Sequence, residues 1–193
     1  MHARAQSSGE HQAAFVYSRA VQRMKTRLGY ALGLAVCLAL LAFALYLQYV
    51  EHQDPCPLCI LQRVAFIAMT ILFLIAAVHD PARRGAIAYS AMLVLMAGAG
   101  AAIAGRQVWL QHLPASQVPA CGPGLQYMLE RFPLAQALQK ILAGSGECAE
   151  AGWTFFGLTI AGWSLVWFVI LAVFAVIVAA NAPATRGRDG AGG

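Results

Sequence analysis

The sequence predicts an all-α fold: a polytopic membrane four-helix bundle with two outward loops that carry cysteines. Three observations predict it. Of 193 residues, 60% are apolar and only 11% are charged, against roughly 25% charged in soluble domains. Four stretches reach the length of about 20 apolar residues that a spanning helix needs. The cations gather at alternate connections along the chain.

Each span is read from its interruptions. Leu28 to Val50 is uncharged throughout, and Ile60 to His79 contains only Arg63. Gly85 to Gly105 is uncharged, and so is Phe156 to Ala180, which ends ahead of Pro183. The predicted helices therefore cover about residues 28–50, 59–79, 85–105 and 157–180. They make one transmembrane domain, 28–180, between a basic tail at 1–27 and a second tail at 181–193. The outer loops are 51–58 and 107–155. The first run is too long for a 7–15-residue signal core and has no clear small-residue cleavage site, so it is expected to stay as an anchor. Met1–Ala14 and Ala182–Gly193 are expected to be flexible tails.

Sidedness follows from charge. Arg4, Arg19, Arg23, Lys25 and Arg27 precede the first span, Arg83 and Arg84 separate the second from the third, and Arg186 and Arg188 follow the last. Cytoplasmic connections carry such an excess, which accounts for the net positive charge without nucleic acid. Both termini are expected in the cytoplasm. The two outer loops hold Glu51, Asp54, Glu130, Glu147 and Glu150. Tyr46, Tyr49, Trp109, Trp153, Phe155 and Phe156 fall where rings favour the headgroup layer.

In the long loop, Leu125, Met128, Leu129 and Phe132 keep helical spacing. After Pro133, so do Ala135, Leu138, Ile141 and Leu142. One or two short amphipathic helices are expected there, lying in the interface or packed on the bundle.

Five cysteines carry the chemistry. Cys37, in the middle of the first span, reads as a small buried hydrophobe. Cys56 and Cys59 form C-x-x-C at the start of the second span, and Cys121 and Cys148 lie in the long outer loop. Haem attachment would need His after the second cysteine, and Ile60 stands there. A zinc site would join two widely separated pairs, unlike the usual ribbon spacing. Static disulfides remain open, because outward loops permit them. The position of Cys59 favours a reactive thiol. It falls in the first turn of a helix, where the dipole favours negative charge, and Arg63 follows one turn deeper. Both favour the thiolate, the nucleophile of disulfide exchange. Arg63 reads either as a snorkelling interfacial cation or as a charge kept for a ligand or thiolate.

A reactive dithiol at a membrane surface needs a two-electron acceptor. No haem, flavin or nucleotide motif is visible, and a quinone dissolved in lipid is the available one. Arg63 is placed to hydrogen-bond a quinone carbonyl. Gln107 and His112, just past the third span, are candidates for a second contact; His112 also reads as a solvated interfacial residue.

Two motifs carry a resemblance. Pro55-Cys56-Pro57-Leu58-Cys59 is followed by Arg63-Val64-Ala65, and Gly146-Glu147-Cys148-Ala149-Glu150 by Trp153 and Gly157-Leu158, with Cys121 alone in the same loop. Over about Leu28 to Ala180 the chain resembles the bacterial DsbB family, quinone-reducing membrane oxidases that reoxidise the periplasmic thiol oxidase DsbA. The resemblance implies a multi-pass inner-membrane protein with periplasmic cysteine loops, and ubiquinone or menaquinone as acceptor, with no metal, haem or flavin. It implies that Cys121 and Cys148 form the disulfide attacked by a DsbA-like thioredoxin-fold partner, with Cys121 taking the mixed disulfide. Cys148 would exchange with Cys56, and Cys59 would be released as the thiolate that reduces the quinone. Arg63 matches the family's quinone-site arginine, and His112 and Gln107 resemble residues beyond the third helix of relatives. Vitamin K epoxide reductase relatives also combine two cysteine pairs with a quinone, but their C-x-x-C follows the loop cysteines, whereas here it comes first. The long amino-terminal tail and Pro57 inside the motif depart from the pattern.

Overall fold

The computed structural model describes residues 2–118, 127, 130–150 and 152–183, with backbone alone for 2–16, 19 and 115. The described elements are α1 (His2–Tyr49), α2 (Pro57–His79), α3 (Arg83–Gln111), a 3₁₀ turn (Ala115–Gln117), α4 (Leu134–Ala143), α5 (Gly146–Ala149), a hairpin of β1 (Thr154–Phe155) and β2 (Leu158–Thr159), and α6 (Ile160–Ala180). Stretches of α1, α2, α3 and α6 are each long and apolar enough to cross a membrane, the one in α1 covering Ala20–Tyr49. Outward side chains such as Ile67, Ile71, Val78, Val169 and Val173 are exposed and apolar. In water such a surface would be large and unfavourable; in lipid it is matched. The chain is a multi-pass membrane protein.

The helix ends have local causes. Pro57 occupies the first position of α2, where a missing N–H leaves no bond unmade. Asp80 ends α2 in the left-handed region at φ 46°, with its N–H on the Ala76 carbonyl. Thr159 caps α6, its hydroxyl accepting from the Gly162 N–H at 3.2 Å.

Two boundaries differ from the sequence expectation. α1 begins at His2, not near residue 28. The basic segment is rich in Ala, Gln and Arg and lacks proline, so it has good helix propensity. Hydropathy marks where lipid begins, not where the helix does. α3 runs to Gln111, six residues past Gly105, and so takes Gln107 to Gln111 out of the expected loop.

The core is built by close helix contact. Phe66 of α2 and Phe168 of α6 stack with centroids 4.1 Å apart and planes 12° apart. Gly100 of α3 lies against the same Phe168 ring, and a Cβ there would overlap it. Tyr30, Cys37, Met69, Phe73 and Leu93 are buried around this stack; Cys37 is a core residue, as its place in the middle of the first span predicts. α3 and α6 share the broadest contact, whereas α1 touches α6 only slightly. A cavity is left between them at the loop end of the bundle, lined by residues of all four long helices.

In the long loop, α4 confirms the helical spacing after Pro133. It buries Ala137 and Ile141 and exposes Leu134, Leu138 and Leu142. Leu125, Met128 and Leu129 lie outside the described residues, as does the tail from 184 onward. The hairpin turns through Phe156 at φ 49° and Gly157 at φ 77°, the double left-handed geometry of a tight two-residue turn.

Candidate functional site

The C-x-x-C spacing places its cysteines at defined positions of α2. Cys56 is the N-cap, and its sulfur accepts from the Cys59 backbone N–H at 3.4 Å. The two Sγ atoms lie 3.1 Å apart. Cys56 is buried and Cys59 half-buried, with both present as thiols.

Cys148 arrives from the second loop. It is buried in α5, and it packs with Cys56, Leu58, Leu110, Ala137 and Ile141 in one cluster. Its backbone N–H donates to the Ser145 carbonyl at 2.9 Å. Bonds from α3 flank the segment: Arg106 donates to the Leu142 and Ala143 carbonyls at 3.3 and 2.9 Å, and Gln111 to the Glu150 carbonyl at 3.4 Å. The Thr159 hydroxyl in turn donates to Gln111 at 2.8 Å.

The charge on the sulfurs is divided unequally. A hydrogen bond from the Cys56 thiol, aided by backbone N–H groups including that of Leu58, lowers Cys148 to about 6 against the opposing effect of burial. Cys56 moves the other way: as donor to Cys148 and Cys59, and buried, its thiol is held far above the ordinary range. The two shifts run in opposite directions, Cys148 toward the thiolate and Cys56 toward the protonated thiol. Cys56 has two sulfur neighbours, one on its own helix and one from the other loop, as a disulfide-exchange relay requires.

Two glutamines complete the site. Gln107 of α3 donates through Nε2 to Cys56 Sγ at 3.3 Å and to Cys59 Sγ at 3.2 Å. Its Oε1 accepts from Gln62 Nε2 at 2.7 Å. Arg63 reaches across to α1, where it donates to Gln48 Oε1 and, at 3.0 Å, to the Ala44 carbonyl. Both acceptors are neutral, so the guanidinium keeps its net charge beside the cavity.

That cavity has a volume of about 550 Å³. Cys59, Arg63 and Gln107 contribute its polar wall, and Leu40, Phe66 and Trp167 are among its apolar lining. Such a chamber suits a ligand with one polar end and an apolar body. Among the described residues, no three of His, Cys, Asp and Glu converge.

The structure thus brings together Cys56, Cys59, Cys148 and Arg63. Cys121 lies outside the described residues. His112 is not brought to the cavity: it caps α3, is exposed, and its Nδ1 pairs with the Val108 carbonyl at 2.7 Å. Gln107, the other candidate from the same stretch, is the one that faces the sulfurs. Gln62 is the residue that sequence reasoning missed. Its signal was present, as an uncharged polar residue within an apolar span three positions after Cys59.

Comparison with known proteins agrees with this geometry. Residues 26–178 match the family described as "Disulfide bond formation protein DsbB". Proteins named "Disulfide bond formation protein B" are close relatives. That of Nitrosococcus oceani is 50% identical over 154 residues, 80% of this chain and 91% of the relative. That of Hahella chejuensis is 55% identical over 130 residues, 67% and 79% respectively. That of Methylococcus capsulatus is 47% identical over 148 residues, 77% and 90% respectively. The paired thiols beneath a bundle-lined chamber and the match along most of the chain lead to one conclusion: this chain belongs to the DsbB family of disulfide bond formation proteins, membrane thiol:disulfide oxidoreductases.

Proposed function

We propose that the chain reoxidises a periplasmic DsbA-type thioredoxin-fold protein and delivers the electrons to a membrane quinone, ubiquinone or menaquinone. The observation that carries the reading is the shared wall of the cavity, where Cys59, Arg63 and Gln107 meet while Cys148 packs against Cys56. Both termini then lie in the cytoplasm, and both cysteine loops in the periplasm.

The steps balance as follows. A partner thiolate attacks Cys121 of a Cys121–Cys148 disulfide and frees the Cys148 thiolate. Cys148 attacks Cys56 of a Cys56–Cys59 disulfide, and Cys59 leaves as a thiolate. The partner's second thiol displaces Cys121, leaving the partner oxidised. Cys121 attacks Cys148 and restores the loop disulfide, so Cys56 and Cys59 remain as the reduced pair. The quinone supplies an acceptor for two electrons and two protons, which returns that pair to the disulfide. The packing of Cys148 against Cys56 in one buried cluster supports its part as the nucleophile that attacks there. Arg63 and Gln107 supply donors toward the quinone head; His112, facing away from the lining, supplies none from its position.

The test mixes purified, quinone-loaded protein with a reduced thioredoxin-fold partner. Quinol should form in proportion to partner disulfide. Its absence ends the reading. Cys59→Ser should abolish turnover while the fold survives, whereas an inert structural disulfide would lose stability and little else. Membrane-impermeant thiol labelling from the outer face should reach the cysteine loops.

A further inference from the structure

We infer that Gln62 is a positioning residue for the dithiol: it fixes the carboxamide of Gln107 so that the amide N–H groups face both sulfurs of C-x-x-C, and through Gln107 it sustains the thiolate reactivity of Cys59. Its part in turnover rests on the function proposed above.

A carboxamide has two ends. Its oxygen accepts and its nitrogen donates, and a half-turn exchanges them. Beside a pair of sulfurs, either end finds a partner: the oxygen can take a thiol proton, and the nitrogen can donate to a sulfur anion. Gln107 faces this choice, since its Oε1 also lies 3.5 Å from Cys59 Sγ. The Gln62 donor decides it. At 2.7 Å it holds the Gln107 oxygen more closely than the thiol does. A flipped Gln107 would set one NH₂ group against another. The oriented nitrogen then spends its two protons on the sulfurs, at 3.3 and 3.2 Å.

Burial makes the choice matter. Gln62 and Gln107 are each only 3% exposed, so bulk water does not replace a lost bond. In such a place a donor aimed at a charged acceptor is worth about twice a neutral pair, and it favours the charged form of the acceptor. Position adds to the argument. Gln62 lies three residues after Cys59, on the same side of α2, and Gln107 comes from α3. The pair therefore ties the orientation of a donor on one helix to the sulfur of another. An apolar side chain at 62 would fill the same space without setting that orientation.

The test reads the thiol itself, with neither quinone nor partner present. In the full-length chain in detergent with Cys56→Ser, Cys59 remains a thiol, and its alkylation by monobromobimane at pH 7 is followed by mass spectrometry of its peptide. Gln107→Leu should slow the reaction about tenfold, the scale of one charge-assisted bond. Gln62→Met should slow it several-fold, and should add nothing in the Gln107→Leu background, because it acts only through Gln107. An unchanged rate with Gln62→Met, or the same loss in both backgrounds, overturns the inference. If Gln62→Met does not fold, Gln62→Glu is the second probe. Its protonated carboxyl donates as the amide does and its ionised form does not, so its rate relative to the parent should fall from pH 5 to pH 9. A flat ratio overturns the inference. If the unaltered protein makes no quinol but the cycle is coupled, the amide pair stands and the proposed electron acceptor falls.

Discussion

Cys56 caps the helix on which Cys59 stands: its sulfur accepts the Cys59 backbone N–H at 3.4 Å while the two Sγ atoms lie 3.1 Å apart. The x-x spacing sets N-cap and third helical position, the two positions that a capping side chain joins. Pro57, at the first helical position between them, has no N–H to be left over. One short motif thus starts the helix and brings the sulfurs into register.

The first prediction concerns pH. The Cys56 thiol is the largest cause of the low value at Cys148, about 6 against an ordinary 9. A group lowered in this way is ionised above that value and is lost as nucleophile as the pH falls through it. In Cys121→Ser with the C-x-x-C pair kept reduced, alkylation of Cys148 should therefore rise between pH 5 and 7 and then level off. Adding Cys56→Ala should move the midpoint up toward 9. A rise centred near 9 in both variants would contradict the arrangement.

The second concerns Arg63. Its bonds to Gln48 and Ala44 are made within the bundle, so Arg63→Ala should leave the protein in the membrane. Apparent KM for quinone should rise about tenfold, the loss of one charge-assisted donor. Steady-state assay over a quinone series checks it; unchanged KM and kcat would remove Arg63 from the site.

The third concerns packing. Gly100→Ala places a methyl group in the Phe168 ring, which is already stacked on Phe66. Overpacking of this kind costs about 1–3 kcal/mol. A lowered thermal midpoint in detergent is expected, with the C-x-x-C alkylation rate kept at low temperature.

The fourth concerns Thr159, which caps α6 and also bonds Gln111. Thr159→Val keeps the shape and removes both bonds. A loss of about 1 kcal/mol follows from the cap alone, readable as a lower thermal midpoint. Thr159→Ser should recover most of it.

Much of this was legible in the sequence because lipid imposes one simple demand, a long apolar run. The four spans follow from it. What hydropathy does not see is helix that has left the lipid. The amino-terminal part of α1 and the last turns of α3 are helical through propensity and local bonding, with Gln107 reading as the start of a loop. Cys56, Cys59 and Arg63 were recognisable from spacing along one element. The meeting of Cys148 with Cys56 came from the resemblance and not from spacing, because nothing in the linear order says which distant loop cysteine packs on α2. Gln62 and Gln107 stand 45 residues apart, and their pairing is a property of helix registry. His112 had the right residue type near the right end, but the helical turn carries its ring to the outer surface.

The bonds from Arg106 and Gln111 on either side of α5 have a kinetic meaning. A cysteine tethered by a slack loop would have to find its target by diffusion, losing rotational and translational freedom at every cycle. Held at both flanks by a single rigid helix, Cys148 meets Cys56 at a high effective molarity. In the exchange proposed above, the internal step then runs as a first-order event whose rate does not depend on the supply of partner.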